Sequence, residues 1–314
     1  MLRRSLFKAV AALAGAAGIA NADPLNEMGR PSTEGAGRKR PANNFVEAAD
    51  GTNLFFKDCG SGKPMLFAAP WAMHSAWWEY QVYGLTGTGI RCITYDRRGH
   101  GRSGESNRSC DFDTLADDMA EVIDQLDLQE VTLVGQSLGC GEVVRYLTRH
   151  GSARVSRAVL VSTITPFILK TDDNPDGVDR ANLALVRETL RKDHPHPLAA
   201  YAPTFFAVPK NNVSQEIMDW WVRMMVDGCS LKTMNDLHKV FTETDFRPEL
   251  RKISLPTLLI HGDSDMSTLI DKTARKTLPL IKDCHLKVYA GAGHGLPITH
   301  AAQLNADLLA FAKT

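Results

Sequence analysis

Gly135-Gln136-Ser137-Leu138-Gly139 lies between an apolar run at 131–134 and a helix-prone run at 142–147. A serine between a strand and a helix is held on a tight turn, its hydroxyl presented at the top of a sheet. Such a turn needs small flanking side chains, and glycines stand at 135 and 139. A serine that only caps the helix is the plainer alternative. Its partners decide between the two. A serine hydroxyl is a poor nucleophile at neutral pH and needs a base, which in turn needs an orienting acid. In this arrangement the chain order is serine, acid, histidine. His294, in Gly291-Ala292-Gly293-His294-Gly295 after the last strand, is the expected base, chosen by position from 10 histidines. The acid is expected in His261-Gly262-Asp263-Ser264-Asp265. Asp265 lies deeper in that loop and is assigned, with Asp263 bracing the turn; the two carboxylates could exchange roles. Two backbone N–H groups should face a developing oxyanion, those of Leu138 and Trp71. Pro70 has no N–H to offer.

Other patterns carry less. Gly99-His100-Gly101-Arg102-Ser103-Gly104 has the spacing of a dinucleotide-binding turn. Such a site needs a helix opening within the motif; here loop follows and the next helix starts near Thr114. Arg97, Arg98 and Arg102 are expected to brace the turn through carboxylates and carbonyls. His194-Pro195-His196-Pro197 is expected as a loop, with no carboxylate pattern to complete a metal site. The six cysteines show no paired spacing of a metal or redox motif. Cys92 and Cys140 are expected to be buried. No metal and no organic cofactor is implied.

Chain-wide patterning supplies the frame for these residues. With 36 Lys+Arg against 36 Asp+Glu the formal charge is zero, which disfavours a nucleic-acid partner and suits a neutral substrate. Apolar content of 44% is that of an ordinary globule. Residues 1–22 read as an export signal: Arg3-Arg4-Ser5-Leu6-Phe7-Lys8 resembles a twin-arginine leader, and Ala20-Asn21-Ala22 a cleavage site. The apolar stretch there is too short to span a membrane, and a periplasmic or secreted location is expected. Residues 23–43, rich in Gly, Pro and charge, read as a flexible linker. From 44 to 314 strands and helices alternate, which predicts a mostly parallel sheet covered by helices on both faces. Leu115, Met119, Val122, Ile123 and Leu126 recur with the period of a helix facing a core. Over about 167–247 strands disappear and helical runs take over, an inserted helical cap. Phe205-Phe206, Trp220-Trp221 and Met224-Met225 there should mostly pack, with some lining an apolar cavity.

These residues together resemble the α/β-hydrolase fold, and within it the cofactor-free haloperoxidase and aryl esterase group, from about residue 45 onward. The motifs that carry the likeness run from Tyr95-Asp96-Arg97-Arg98-Gly99-His100-Gly101-Arg102-Ser103 and Gly135-Gln136-Ser137-Leu138-Gly139 to Phe241-Thr242-Glu243-Thr244-Asp245-Phe246. The loops at 261–265 and 293–295 and the tail at 304–311 complete it. The resemblance implies Ser137, Asp265 and His294 as catalytic triad and the Trp71 and Leu138 amides as oxyanion hole. Three positions depart from the family pattern. Ala69-Pro70-Trp71 replaces His-Gly-Trp, Ala72 replaces the proline that strong perhydrolases carry, and no proline follows Asp265 in its loop. The expected activity is hydrolysis of small, largely apolar carboxylic esters or lactones through an acyl-enzyme. The same triad with hydrogen peroxide as acyl acceptor is the near alternative; a non-catalytic ligand-binding protein is the distant one. A homo-oligomer stays open as a partner.

Overall fold

The computed structural model describes residues 43–105 and 110–314. The expected export signal, the 23–43 linker except its last residue, and 106–109 lie outside the described residues. Eight strands form one sheet in the order β1-β2-β4-β3-β5-β6-β7-β8. They are β1 Phe45–Glu47, β2 Asn53–Gly60, β3 Lys63–Ala68, β4 Ile90–Tyr95, β5 Val131–Gln136, β6 Val155–Val161, β7 Thr257–Gly262 and β8 Cys284–Tyr289. β1 and β2 pair antiparallel, and β2 meets β4 antiparallel. All remaining pairs are parallel, as the βα alternation predicts. The central strands β5 and β7 are buried along their whole length, as parallel strands covered on both faces must be.

Alternating side chains feed two cores. Leu133 and Leu160 point into one, with Leu115, Met119, Val122 and Ile123 from the helix α2 Phe112–Gln125. Val134, Val159 and Val161 point into the other, with Trp77, Leu304 and Leu308. Asp111 caps α2 by accepting from the Thr114 amide at 2.9 Å. On the first face α2 packs against α3, Leu138–Arg149; on the second, α1, Glu79–Leu85, packs against the terminal helix α11, Ala301–Lys313. Cys92 and Cys140 are buried, as expected.

Four helices lie between β6 and β7 before the short α8, Arg247–Leu250: α4 Arg180–Lys192, α5 Pro195–Phe205, α6 Gln215–Gly228 and α7 Leu231–Glu243. α4 packs on α7, and α5 on α6. The structure corrects two expectations. Residues 195–197 are not loop but the first turn of α5. Pro195 sits where its missing N–H costs nothing, and the Asp193 carboxylate accepts from the His196 amide at 3.1 Å. The helix expected over about 270–280 shrinks to α9, Ala274–Thr277, and a 3-10 turn, Leu278–Leu280, with Pro279 ending the α-helical ladder. After them come α10, Leu296–Thr299, and α11. No helix among the described residues is long and apolar enough to cross a membrane.

Candidate active site

The chemistry-bearing residues lie on loops at the C-terminal ends of parallel strands, where open α/β sheets hold their ligands. Trp71 follows β3, Ser137 follows β5, Asp265 follows β7 and His294 follows β8. The turn after β5 is as tight as the sequence predicts. Ser137 has φ +54° and ψ −116°, a conformation that non-glycine residues rarely hold. A Cβ on Gly135 would stand 2.4 Å from the Gly139 carbonyl oxygen, and one on Gly139 2.3 Å from that of Ala68. Both glycines are therefore required by the close approach of helix α3 to the sheet. The Ser137 amide still donates to Val161 O at 3.0 Å, holding the turn to β6.

His294 Nδ1 is 2.7 Å from Asp265 Oδ2. The carboxylate only accepts, so Nδ1 carries the proton and a neutral ring presents Nε2 as a base. Asp265 is saturated: Oδ1 accepts from the Ser267 and Thr268 amides at 2.8 and 2.9 Å, and Oδ2 from Thr268 Oγ1 at 3.1 Å. Burial pushes its carboxyl pKa up, but His294, His261 and the donated hydrogen bonds together hold it below the usual range. Asp265 is thus a buried, ionised orienting group. Asp263 lies elsewhere: its Oδ1 accepts from the Gly291 amide at 2.8 Å and braces the loop that carries His294. Of the two carboxylates, it is Asp265 that meets His294.

The loop after β3 is pinned from below. Arg97 Nη2 donates to Ala69 O at 2.6 Å and Nη1 to Pro70 O at 3.4 Å, while Nε donates to the buried Glu142 carboxylate. Tyr95 Oη donates to the same carboxylate at 2.7 Å. The Arg97 side chain thus grips the loop before Trp71 instead of the 99–104 turn that the sequence suggested. Arg98 and Arg102 do brace that turn, Arg98 Nε donating to Asp118 and Arg102 Nε to Asp96 at 3.3 Å. Met73 N donates to Pro70 O at 3.2 Å, closing a turn with Ala72 at φ +59°. Among the described residues nothing accepts from the Trp71 amide. The Leu138 amide opens helix α3, where the first N–H groups have no partner in the helix. Trp71 Nε1 donates to Met234 O at 2.8 Å, fixing the ring against α7.

Ser137, His294 and Trp71 line a cavity of about 580 Å³ whose other walls include Phe205, Trp221 and Met225. Phe205, Trp221 and Met225 also belong, with Phe206 and Met224, to the second core, so packing and lining are shared by the same side chains. Three site residues had no distinguishing signal in the sequence: Thr268, His261 and Gln136. His261 Nε2 lies 2.7 Å from Thr268 O and 3.4 Å from Asp265 Oδ2, and burial lowers its pKa, keeping it neutral. It holds the acid loop closed. Gln136 bridges Trp77 Nε1, at 2.5 Å, and His294 O, at 2.7 Å.

The family model described as "alpha/beta hydrolase fold" matches residues 63–301. A non-heme haloperoxidase of Rhodococcus erythropolis is 40% identical over 273 residues, 86% of this chain and 99% of that protein. A bifunctional esterase/perhydrolase of Acinetobacter calcoaceticus is 34% identical, again over 86% and 99% of the two chains. The crystal structure of a bromoperoxidase from Bacillus anthracis superposes with a TM-score of 0.83 at 34% identity, covering 87% of this chain and all of the other.

Proposed function

The chain belongs to the α/β-hydrolase fold family, and on that premise we propose that it is a serine hydrolase of small, largely apolar carboxylic esters, lactones included. The observation that carries the reading is the 2.7 Å pairing of His294 Nδ1 with the buried Asp265 carboxylate, beside a strained serine in an apolar cavity. Ser137 Oγ attacks the acyl carbon as His294 Nε2 takes its proton. The Trp71 and Leu138 amides stabilise the oxyanion. His294 then protonates the leaving alcohol, and water activated by the same nitrogen hydrolyses the acyl-enzyme. Asp265 holds the imidazole in its tautomer and stabilises the imidazolium. A cavity of about 580 Å³ suits small-molecule substrates.

The test is turnover of p-nitrophenyl acetate, butyrate and octanoate by the purified protein beside Ser137→Ala. A fall in kcat of roughly 10⁴-fold or more in the variant supports the reading; undiminished turnover sinks it.

The names of the two relatives favour a second reading, with hydrogen peroxide in place of water as acyl acceptor and a peracid as product. Halide oxidation that depends on both an added carboxylic acid or ester and Ser137 would support it. Export from the cytoplasm is a separate proposal, supported by the twin-arginine-like leader. Recovery of the full-length, uncleaved protein solely in the cytoplasmic fraction would refute it.

A further inference from the structure

One polar ring in the cavity is unused by ester chemistry. His238, on α7, lines the cavity and is only 6% exposed. Its Nδ1 lies 3.4 Å from Nη1 of Arg187, itself buried on α4. A guanidinium can only donate, so Nδ1 accepts, and a neutral ring then carries its proton on Nε2. Burial first, and then the Arg187 charge, lower the ring's pKa to about 4; it is neutral at physiological pH. Glu243, 3.8 Å from Arg187, is also held by Arg180 at 2.9 Å.

Nε2 has no hydrogen-bond partner among the described residues, yet it is not among the fully sealed side-chain atoms. With Nδ1 turned to Arg187, Nε2 is the edge left to the cavity. Trp71 and Phe241 flank the ring edge-on, with centroids 5.5 and 5.2 Å away, so the ring stands beside Trp71 in the cavity wall. Competing hydroxyls are largely occupied. Thr189 donates to Leu185 O at 2.9 Å, and Thr242 to His238's own carbonyl at 2.6 Å. Thr268 donates to Asp265. Tyr201 and Ser267 pair with each other at 2.9 Å, Tyr201 lying at the exposed rim.

We propose that His238 is a specificity residue whose Nε2–H binds a neutral oxygen acceptor of the substrate, an ether, hydroxyl or carbonyl oxygen remote from the scissile ester. The enzyme would then favour oxygen-bearing esters over all-carbon esters of equal length. This inference rests on the ester-hydrolase reading. An anion is not the ligand, because the neutral ring offers a single donor while the Arg187 charge is turned to Nδ1. An unfilled donor in an apolar wall discriminates well, since a substrate lacking the acceptor leaves it desolvated and unpaired.

Isosteric pairs test it. On the acyl side, p-nitrophenyl hexanoate is compared with its 4-oxa and 5-oxa analogues. On the alcohol side, butyl acetate is compared with 2-methoxyethyl acetate. The readout is the ratio of kcat/KM, oxygen ester over carbon ester, in wild type, His238→Leu and His238→Gln. Comparing ratios cancels the intrinsic reactivity of each ester and any loss of folded enzyme. We expect the ratio to fall about three- to tenfold in His238→Leu for at least one pair, with partial recovery in His238→Gln, whose amide can still donate. Equal ratios in wild type and His238→Leu for every pair would overturn the proposal. Failure of the underlying reading looks different: no ester of either kind is turned over in a Ser137-dependent way, and the proposal falls with it.

Discussion

Gln136 Nε2 donates to the backbone carbonyl of His294 at 2.7 Å, joining two residues 158 positions apart in the chain. The residue before Ser137 therefore holds the loop that carries His294. Trp77 Nε1 occupies the other end of the same side chain at 2.5 Å. All three groups are buried, so one fully enclosed amide joins the loop that carries His294 to the strand end that carries Ser137.

Gln136→Leu removes that link and leaves the Trp77 N–H and His294 C=O unpaired. Unpaired buried groups cost about 1–3 kcal/mol each, so the melting temperature should fall. A misplaced base should lower kcat by about tenfold or more with little change in KM. Wild-type kcat in a folded Gln136→Leu protein would show that the link does not position His294.

The backbone at Ser137 is strained, with φ +54° and ψ −116°, at a cost of about 1–3 kcal/mol for any residue with a Cβ. Ser137→Ala keeps the strain and Ser137→Gly relieves it. Glycine's extra freedom in the unfolded chain offsets about 0.5–1 kcal/mol of the gain. Ser137→Gly should therefore be more stable than Ser137→Ala by about 1 kcal/mol, both being inactive on esters. Urea titration of the pair decides it, and an Ala variant equal to or more stable than Gly contradicts the strain.

Ala72 has φ +59°, which a proline ring locked near −65° cannot adopt. Ala72→Pro must rebuild the turn that follows the Trp71 amide. It should destabilise by more than about 1 kcal/mol and depress kcat for esters, whereas Ala72→Gly should keep both. An Ala72→Pro protein with unchanged stability and kcat would mean that this turn does not aim the Trp71 amide.

His238 is held down to about 4, by burial and then by Arg187. Once unfolded, the ring returns to the ordinary value near 6.5. Between those two values the unfolded chain binds the extra proton, so His238 makes the fold less stable as pH falls from 6.5 toward 4. The size is on the order of 1 kcal/mol per pH unit. Asp118, raised to about 6 by burial, acts with opposite sign over part of this range, so the test is a difference. His238→Phe should gain stability relative to wild type as pH drops from 7 to 5. A constant difference in unfolding free energy across that range would show that the ring is not held neutral.

Much of this site is legible in the chain order alone. Glycines at 135 and 139 around a serine, after an apolar run and before a helical one, leave few conformations for the turn. The acid and histidine loops each follow a strand whose parallel pairing brings their ends to one edge. Local spacing suffices there because strand and turn are short-range patterns. Spacing does not reveal partners brought together from distant elements: Gln136 with His294, Arg97 with the carbonyls of Ala69 and Pro70, Arg187 with His238. It also misreads 195–197, where proline looks like a breaker until Asp193 and the packing of α5 on α6 make it a helix start. Sequence patterning thus picks out the loops that carry Ser137, Asp265 and His294. Only the packed structure decides which carboxylate meets His294, which buried amide holds it and where the unspent donor of His238 points, because those depend on directions and desolvation that arise when the helices close over the sheet.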